Sequence, residues 1–258
     1  MKKIITFLLV LIFLVSCSKD DASETNKVNT VNTKSANQKA TGSSSNDLLS
    51  DTKFKSMIIE LVYVEGFEPT QNSINNLVNF LNSLTFKSAG ITVEKRAIAS
   101  PANSPYTNQE IMAIEDANRT KYNSSDQIAV WAFFADGESE TNTNSGIVLG
   151  TAYRNTSFVI YEETIQGLSD SPFEPNRTVL ETTVITHEFG HILGLTNLGA
   201  NMVMNHEDTA HPKHCNAENC LMFWAAESGS GLSSLMGSNT APQLDSQCMA
   251  DLKANGGK

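Results

Sequence analysis

All five histidines of the chain, His187, His191, His206, His211 and His214, fall between residues 187 and 214, and that stretch opens with His187-Glu188-Phe189-Gly190-His191. On a helix, positions i and i+4 lie on one face, so His187 and His191 can turn their imidazole nitrogens toward a single ion. Glu188 is offset by one residue and stands beside such an ion, where a carboxylate can hold and deprotonate a water. These residue types at this spacing predict zinc and hydrolytic chemistry. A catalytic zinc takes three protein ligands and keeps one position open, so the set is incomplete without a third donor. The bare five-residue pattern also arises by chance on surface helices; what supports it here is the segment around it.

Val184, Ile185, Phe189, Ile192 and Leu193 recur at helical spacing, and Gly194 stands where a left-handed residue would end the helix. Thr178-Val179-Leu180-Glu181 has the form of a capping box, with Thr178 as N-cap and Glu181 reaching back. Upstream, strands are predicted over 57–64, 91–98, 127–135, 146–153 and 157–162, with helices over 69–84 and 108–122. Strands interleaved with helices predict an α/β (α+β) fold, a mixed twisted sheet with packed helices. After the active-site helix, loops and turns dominate until a last helix within 242–254.

A chain of 258 residues is long enough for a sizeable core, and its composition (40% hydrophobic, 18% charged) is that of a globular protein. The net charge of −10, with no Lys/Arg cluster beyond Lys2 and Lys3, argues against a nucleic-acid partner. Those two lysines precede an apolar run over 4–15, too short to span a bilayer but suited to a signal peptide. Leu14-Val15-Ser16-Cys17 resembles a bacterial lipobox, which implies that Cys17 is the lipid-modified first mature residue. The plainer alternative is a signal peptide with a chance cysteine. Ser18-Lys19-Asp20-Asp21 resembles the acidic export tag of surface lipoproteins in Bacteroidetes-type bacteria. The expected organisation is therefore a signal peptide over 1–16, a disordered tether over 17–50, and one catalytic domain over 51–258. That domain divides near residue 195 into an upper part and a lower part over 196–258. The expected location is the outer membrane, at the cell surface, with a lipid anchor as the membrane contact and a monomeric chain.

The extended metzincin pattern is HExxHxxGxx followed by His or Asp. The chain matches at Gly194, but Asn197 stands where the third ligand is expected, and a neutral amide is a poor zinc ligand. Farther on, His214-Cys215, then Cys220 and Met222, resemble the archaemetzincin pattern of a third histidine, an adjoining cysteine, four residues, a second cysteine, one residue and methionine. The resemblance covers 178–253 in motifs and 57–162 in element order only. It implies a zincin/metzincin-like fold, His214 as third ligand with His206 as its rival, Met222 as the Met-turn, and residues 195–213 as an insertion. In that family four cysteines bind a second, structural zinc; here Cys248 is present but Asp251 replaces the fourth cysteine. Two readings stay open: Cys215, Cys220, Cys248 and Asp251 hold a structural metal, or Cys215 and Cys220 form a disulfide with Cys248 buried.

The resemblance implies zinc-dependent hydrolysis of peptide bonds with Glu188 as general base. Extended substrate would pair along the strand near 146–153, with pocket residues near Phe223 and Trp224. Two other classes remain in view: a surface lipoprotein that kept the fold for binding or adhesion, which Asn197 and the insertion would suit, and an amidase or esterase using the same zinc chemistry.

Overall fold

The computed structural model describes residues 34–258 except 144 and 145. The expected signal peptide, Cys17 and the first part of the expected tether lie outside the described residues. Among the described residues, no helix is long and apolar enough to cross a membrane.

Five strands form one sheet in the order β2-β1-β3-β5-β4: β1 (Ser56–Val64), β2 (Ile91–Ile98), β3 (Gln127–Phe134), β4 (Gly150–Arg154) and β5 (Ser157–Ile160). Only β4 runs antiparallel, against β5, and it forms one edge. β1 and β3 are buried along nearly their whole length, as central parallel strands covered on both faces must be. One face carries Met57, Ile59, Leu61, Val130 and Phe134 into a core shared with α1 (Ser45–Leu49), α2 (Gln71–Leu84) and the long α5 (Arg177–Ile192). The other face packs Val62, Trp131 and Phe133 against Ile111 and Ile114 of α3 (Asn108–Asn118). The expected mixed α/β architecture is the one found. A short α4 (Glu162–Gly167) was not anticipated, and beyond α5 the described helices are two 3-10 turns, the single turn α6 (Leu232–Leu235) and α7 (Ser246–Ala254).

Three departures from the sequence reading have physical causes. The expected helix over 108–122 stops at Asn118 because the buried Glu60 carboxylate captures the N–H groups of Thr120 (3.0 Å) and Lys121 (2.8 Å). The capping box at Thr178 does not form: α5 is capped by Asn176, which accepts from the Val179 N–H. Glu181 instead accepts from the Thr70 N–H (2.9 Å) and pairs with Arg177 (2.7 Å), tying the start of α2 to α5.

The third concerns the tether. Residues 34–50 belong to the fold. The Asn37 side chain is fully buried, donating to Asn123 Oδ1 (2.9 Å), the Ala129 carbonyl (3.0 Å) and Thr156 Oγ1 (3.0 Å) while accepting from the Asn123 N–H (3.1 Å). A polar segment with little apolar surface cannot fold alone, but it can dock by satisfying buried donors and acceptors of a formed sheet.

Candidate metal centre

α5 is buried from Val179 to Ile192, and it carries His187, Glu188 and His191 inward. Each imidazole of the site is oriented by a main-chain carbonyl on Nδ1: Leu221 for His187 (2.7 Å), Leu195 for His191 (3.1 Å) and Pro212 for His214 (3.2 Å). A carbonyl only accepts, so in this geometry Nδ1 carries the hydrogen and the Nε2 lone pair is left to face the centre. The rings lie 4.7, 5.1 and 5.3 Å apart between centroids, with the three histidines converging on one point. The Nε2 atoms of His187 and His214 are buried, with the Glu227 carboxylate 3.5 and 3.1 Å away. Buried imidazole nitrogens aimed at a common point, with a carboxylate beside them, fit a divalent cation that prefers imidazole. Burial holds His191 down at about 4, neutral and available as a donor.

Glycine decides how the helix meets its surroundings. At Gly190 an added Cβ would lie 2.3 Å from the Met222 sulfur, so the Met222 turn presses directly on the helix between the two histidines. At Gly194, φ is +95° and a Cβ would lie 2.5 Å from the Ala200 nitrogen; the chain turns there as expected. The Glu188 carboxylate packs against β4, where a Cβ on Gly150 would lie 2.8 Å from Oε1. Burial, then the charge of Glu227, pushes the Glu188 carboxyl well above its ordinary range.

The remaining candidates separate. The far half of the insertion folds back on residues 214–216 through Asp208 N–H to His214 O (2.8 Å) and Asn216 N–H to His206 O (2.9 Å). Side chains alternate along extended backbone, so His214 enters the three-histidine centre while Cys215 faces away from it. His206 is not in the first centre. Its Nδ1 lies 3.4 Å from Cys215 Sγ and its Nε2 lies 2.8 Å from Asp251. His206, Cys215, Asp245 and Cys248 bring one donor each within 4.8 Å of one another, and Cys220 Sγ lies 3.6 Å from Cys248 Sγ. Cys215, Cys220 and Cys248 are free thiols, the Cys220 and Cys248 sulfurs 3.6 Å apart against the ~2.05 Å of a disulfide, so of the two readings left open the Cys215–Cys220 disulfide is not formed. Asp251 is displaced from the expected ligand position to one behind His206, where a carboxylate fixes the ring and its tautomer. Within the cluster, hydrogen bonding from Cys215 and Cys248 lowers Cys220, and the same contacts raise Cys248. Asn197 donates to Glu207 (2.9 Å), and His211 pairs with Asp208 and stacks on Trp224 at 4.2 Å; neither joins either group.

Sequence reasoning missed Glu227. Its carboxylate lies 3.1 Å from His214 Nε2, 3.5 Å from His187 Nε2 and 3.7 Å from His191 Nε2, and it completes a four-donor group with them. The available signal was its isolation, since no other charged residue stands between Glu218 and Asp245. The centre opens into a cleft of about 300 Å³ lined by Thr41, Gly150, Thr151, Glu188, Lys213 and Glu227, among others. A larger groove of about 570 Å³ between α2, α5 and residues 239–243 has Asn and Thr walls and no titratable lining residue, whereas Glu188, His191, His214 and Glu227 line the smaller cleft.

No protein-family model matches the chain, and neither does any curated protein sequence. Among solved structures it resembles archaemetzincin from Methanopyrus kandleri, with 20% identity and a TM-score of 0.51 over 78% of this chain and 96% of that one. It also resembles metalloproteinase-II from Bacteroides fragilis, with 14% identity and a TM-score of 0.38 over 80% of this chain and 55% of that one. The first likeness shows that the mixed α/β fold expected from the sequence is of the archaemetzincin kind.

Proposed function

We propose that the chain is a zinc-dependent metallopeptidase, an endopeptidase acting on peptide or protein substrates, with His187, His191 and His214 as ligands and Glu188 as general base. The observation that carries this reading is the convergence of three carbonyl-oriented imidazoles with a buried carboxylate beside them. The fold's likeness to archaemetzincin supports it. When bound, zinc supplies Lewis acidity and brings a water's pKa from 15.7 to roughly 7. Glu188 would take the proton from the attacking water and pass it to the departing amine. Gly150 lets the Glu188 carboxylate approach the edge strand, and β4 offers backbone along which an extended peptide can lie. Met222 supports the helix beneath the ligands.

A second, structural ion held by His206, Cys215, Cys248 and Asp245, with the Cys220 sulfur 3.6 Å from that of Cys248, belongs to the same reading, because thiolates, imidazole and carboxylate are zinc donors. Export, lipidation at Cys17, display at the outer membrane and a monomeric state are proposed from the N-terminal sequence and composition. A peptide library incubated with the zinc-loaded chain and read by mass spectrometry tests the function. Cleavage that Glu188→Gln abolishes while zinc stays bound is expected. Undiminished cleavage by Glu188→Gln contradicts the mechanism.

A further inference from the structure

We infer that Glu227 is a fourth protein ligand to the metal, and that the segment bearing it is a built-in latch that closes the site. The inference rests on the metal-site reading above and adds a residue and a form of regulation to it. Donors around a tetrahedral ion at about 2.1 Å stand roughly 3.4 Å from one another. Glu227 Oε2 lies 3.5 Å from His187 Nε2 and 3.7 Å from His191 Nε2, close to this edge, and the second oxygen, Oε1, lies 3.1 Å from His214 Nε2. Oε1 is at hydrogen-bond distance from His214, whereas the Oε2 contacts with His187 and His191 are at or beyond the limit of one. The carboxylate stands where a fourth donor stands. Three protein ligands with one open position describe a catalytic zinc, whereas four protein ligands describe a closed one.

The main chain fixes Glu227 in that place. Its residue ends a 3-10 turn, Trp224–Glu227; its carbonyl accepts from the Leu149 N–H (2.9 Å), and the Gly229 N–H donates to the Ile147 carbonyl (2.9 Å). Val148 and Ser228 are thereby bridged antiparallel. The backbone leading into β4, part of the stretch expected to receive substrate, is thus paired with the chain's own segment. One segment therefore occupies the metal's fourth position and this stretch of edge backbone together. Opening exchanges the Glu227 carboxylate for water at the metal and frees Ile147 and Leu149 for an incoming peptide. The residues around Glu227, Ala225, Ala226, Ser228 and Gly229, are small and none of them is fully buried.

Two readouts on the full chain test this. One is the rate at which a chelator strips zinc from the three-histidine site. The other is the affinity of acetohydroxamate for the Co(II)-substituted protein, followed by its visible absorption. Glu227→Ala should lose zinc at least tenfold faster, having one ligand fewer, yet bind acetohydroxamate at least tenfold more tightly, having an open position. Glu227→Gln preserves shape and should move both readouts in the same directions. Unchanged zinc retention and unchanged hydroxamate affinity in both variants would overturn the latch while leaving the metal site standing. Failure of the wild-type chain to bind any ion at His187, His191 and His214 would overturn both.

Discussion

Gly190 offers a test whose sign separates the packed site from an ordinary helix. Replacing a glycine in an exposed helix with alanine stabilises by up to about 1 kcal/mol. In α5 the added methyl would stand 2.3 Å from the Met222 sulfur, where an ordinary contact is nearer ~3.5–4 Å, so the sulfur must move by more than about 1 Å. Met222 is fully buried, and its turn is held by the Cys215 N–H on the Met222 carbonyl (2.8 Å) and by the Leu221 carbonyl on His187 (2.7 Å). Overpacking of this kind costs about 1–3 kcal/mol, which exceeds the helix gain. Gly190→Ala should therefore be destabilised by up to about 2 kcal/mol, a fall in Tm of up to roughly 8 °C for a domain of this size. Displacing the Leu221 carbonyl should also weaken zinc binding, since it orients His187. Thermal unfolding with and without zinc, on Gly190→Ala, Met222→Ala and the double variant, measures the coupling. The double variant should recover part of the loss, because the shortened side chain makes room for the methyl. A Gly190→Ala protein more stable than wild type, with unchanged zinc affinity, would refute this account of how the Met222 turn supports the helix.

Asn37→Ala should cost about 2–3 kcal/mol in chemical denaturation, since the Asn123 N–H loses its acceptor in a buried setting; a change below about 0.5 kcal/mol would mean that residues 34–44 are a loose tail. Glu162, buried beside Glu181, is raised from 4.5 to about 8, so the folded state holds its proton more tightly than the unfolded state. Stability should accordingly fall as pH rises from about 4.5 to about 8, and Glu162→Gln should flatten that slope in denaturant titrations; an unaltered slope would rule out Glu162 as its source.

The elements that carry the proposed site were legible because their information is local. The i, i+4 spacing of His187 and His191, the apolar stripe and Gly194 all lie within a few turns of one helix. His214 was reachable through Cys215, Cys220 and Met222, whose spacing fixes its register. What could not be read depends on contacts distant in sequence. Glu181 suits a capping box locally, but Thr70 and Arg177 compete for its carboxylate and win. His206 was weighed for the wrong centre, because only the backbone pairing of 206–208 with 214–216 shows that it faces Cys215. Asp251 has the spacing of a lost cysteine ligand, yet it serves the histidine behind the sulfurs. Asn37 lies in a compositionally tether-like stretch, and its role depends on Asn123, Ala129 and Thr156. Glu227 carries no motif at all; its meaning comes from the turn that lays it across the imidazoles.

Counting metal ions per chain in wild type, His214→Ala and His206→Ala, by mass spectrometry of the purified full chain, tests the central claim most directly. The account predicts that His214→Ala loses the ion of the three-histidine centre and keeps the one at the cysteines, while His206→Ala does the reverse. A His214→Ala protein that retains the first ion, or a His206→Ala protein that loses it, would contradict the assignment of His187, His191 and His214 as the catalytic ligand set.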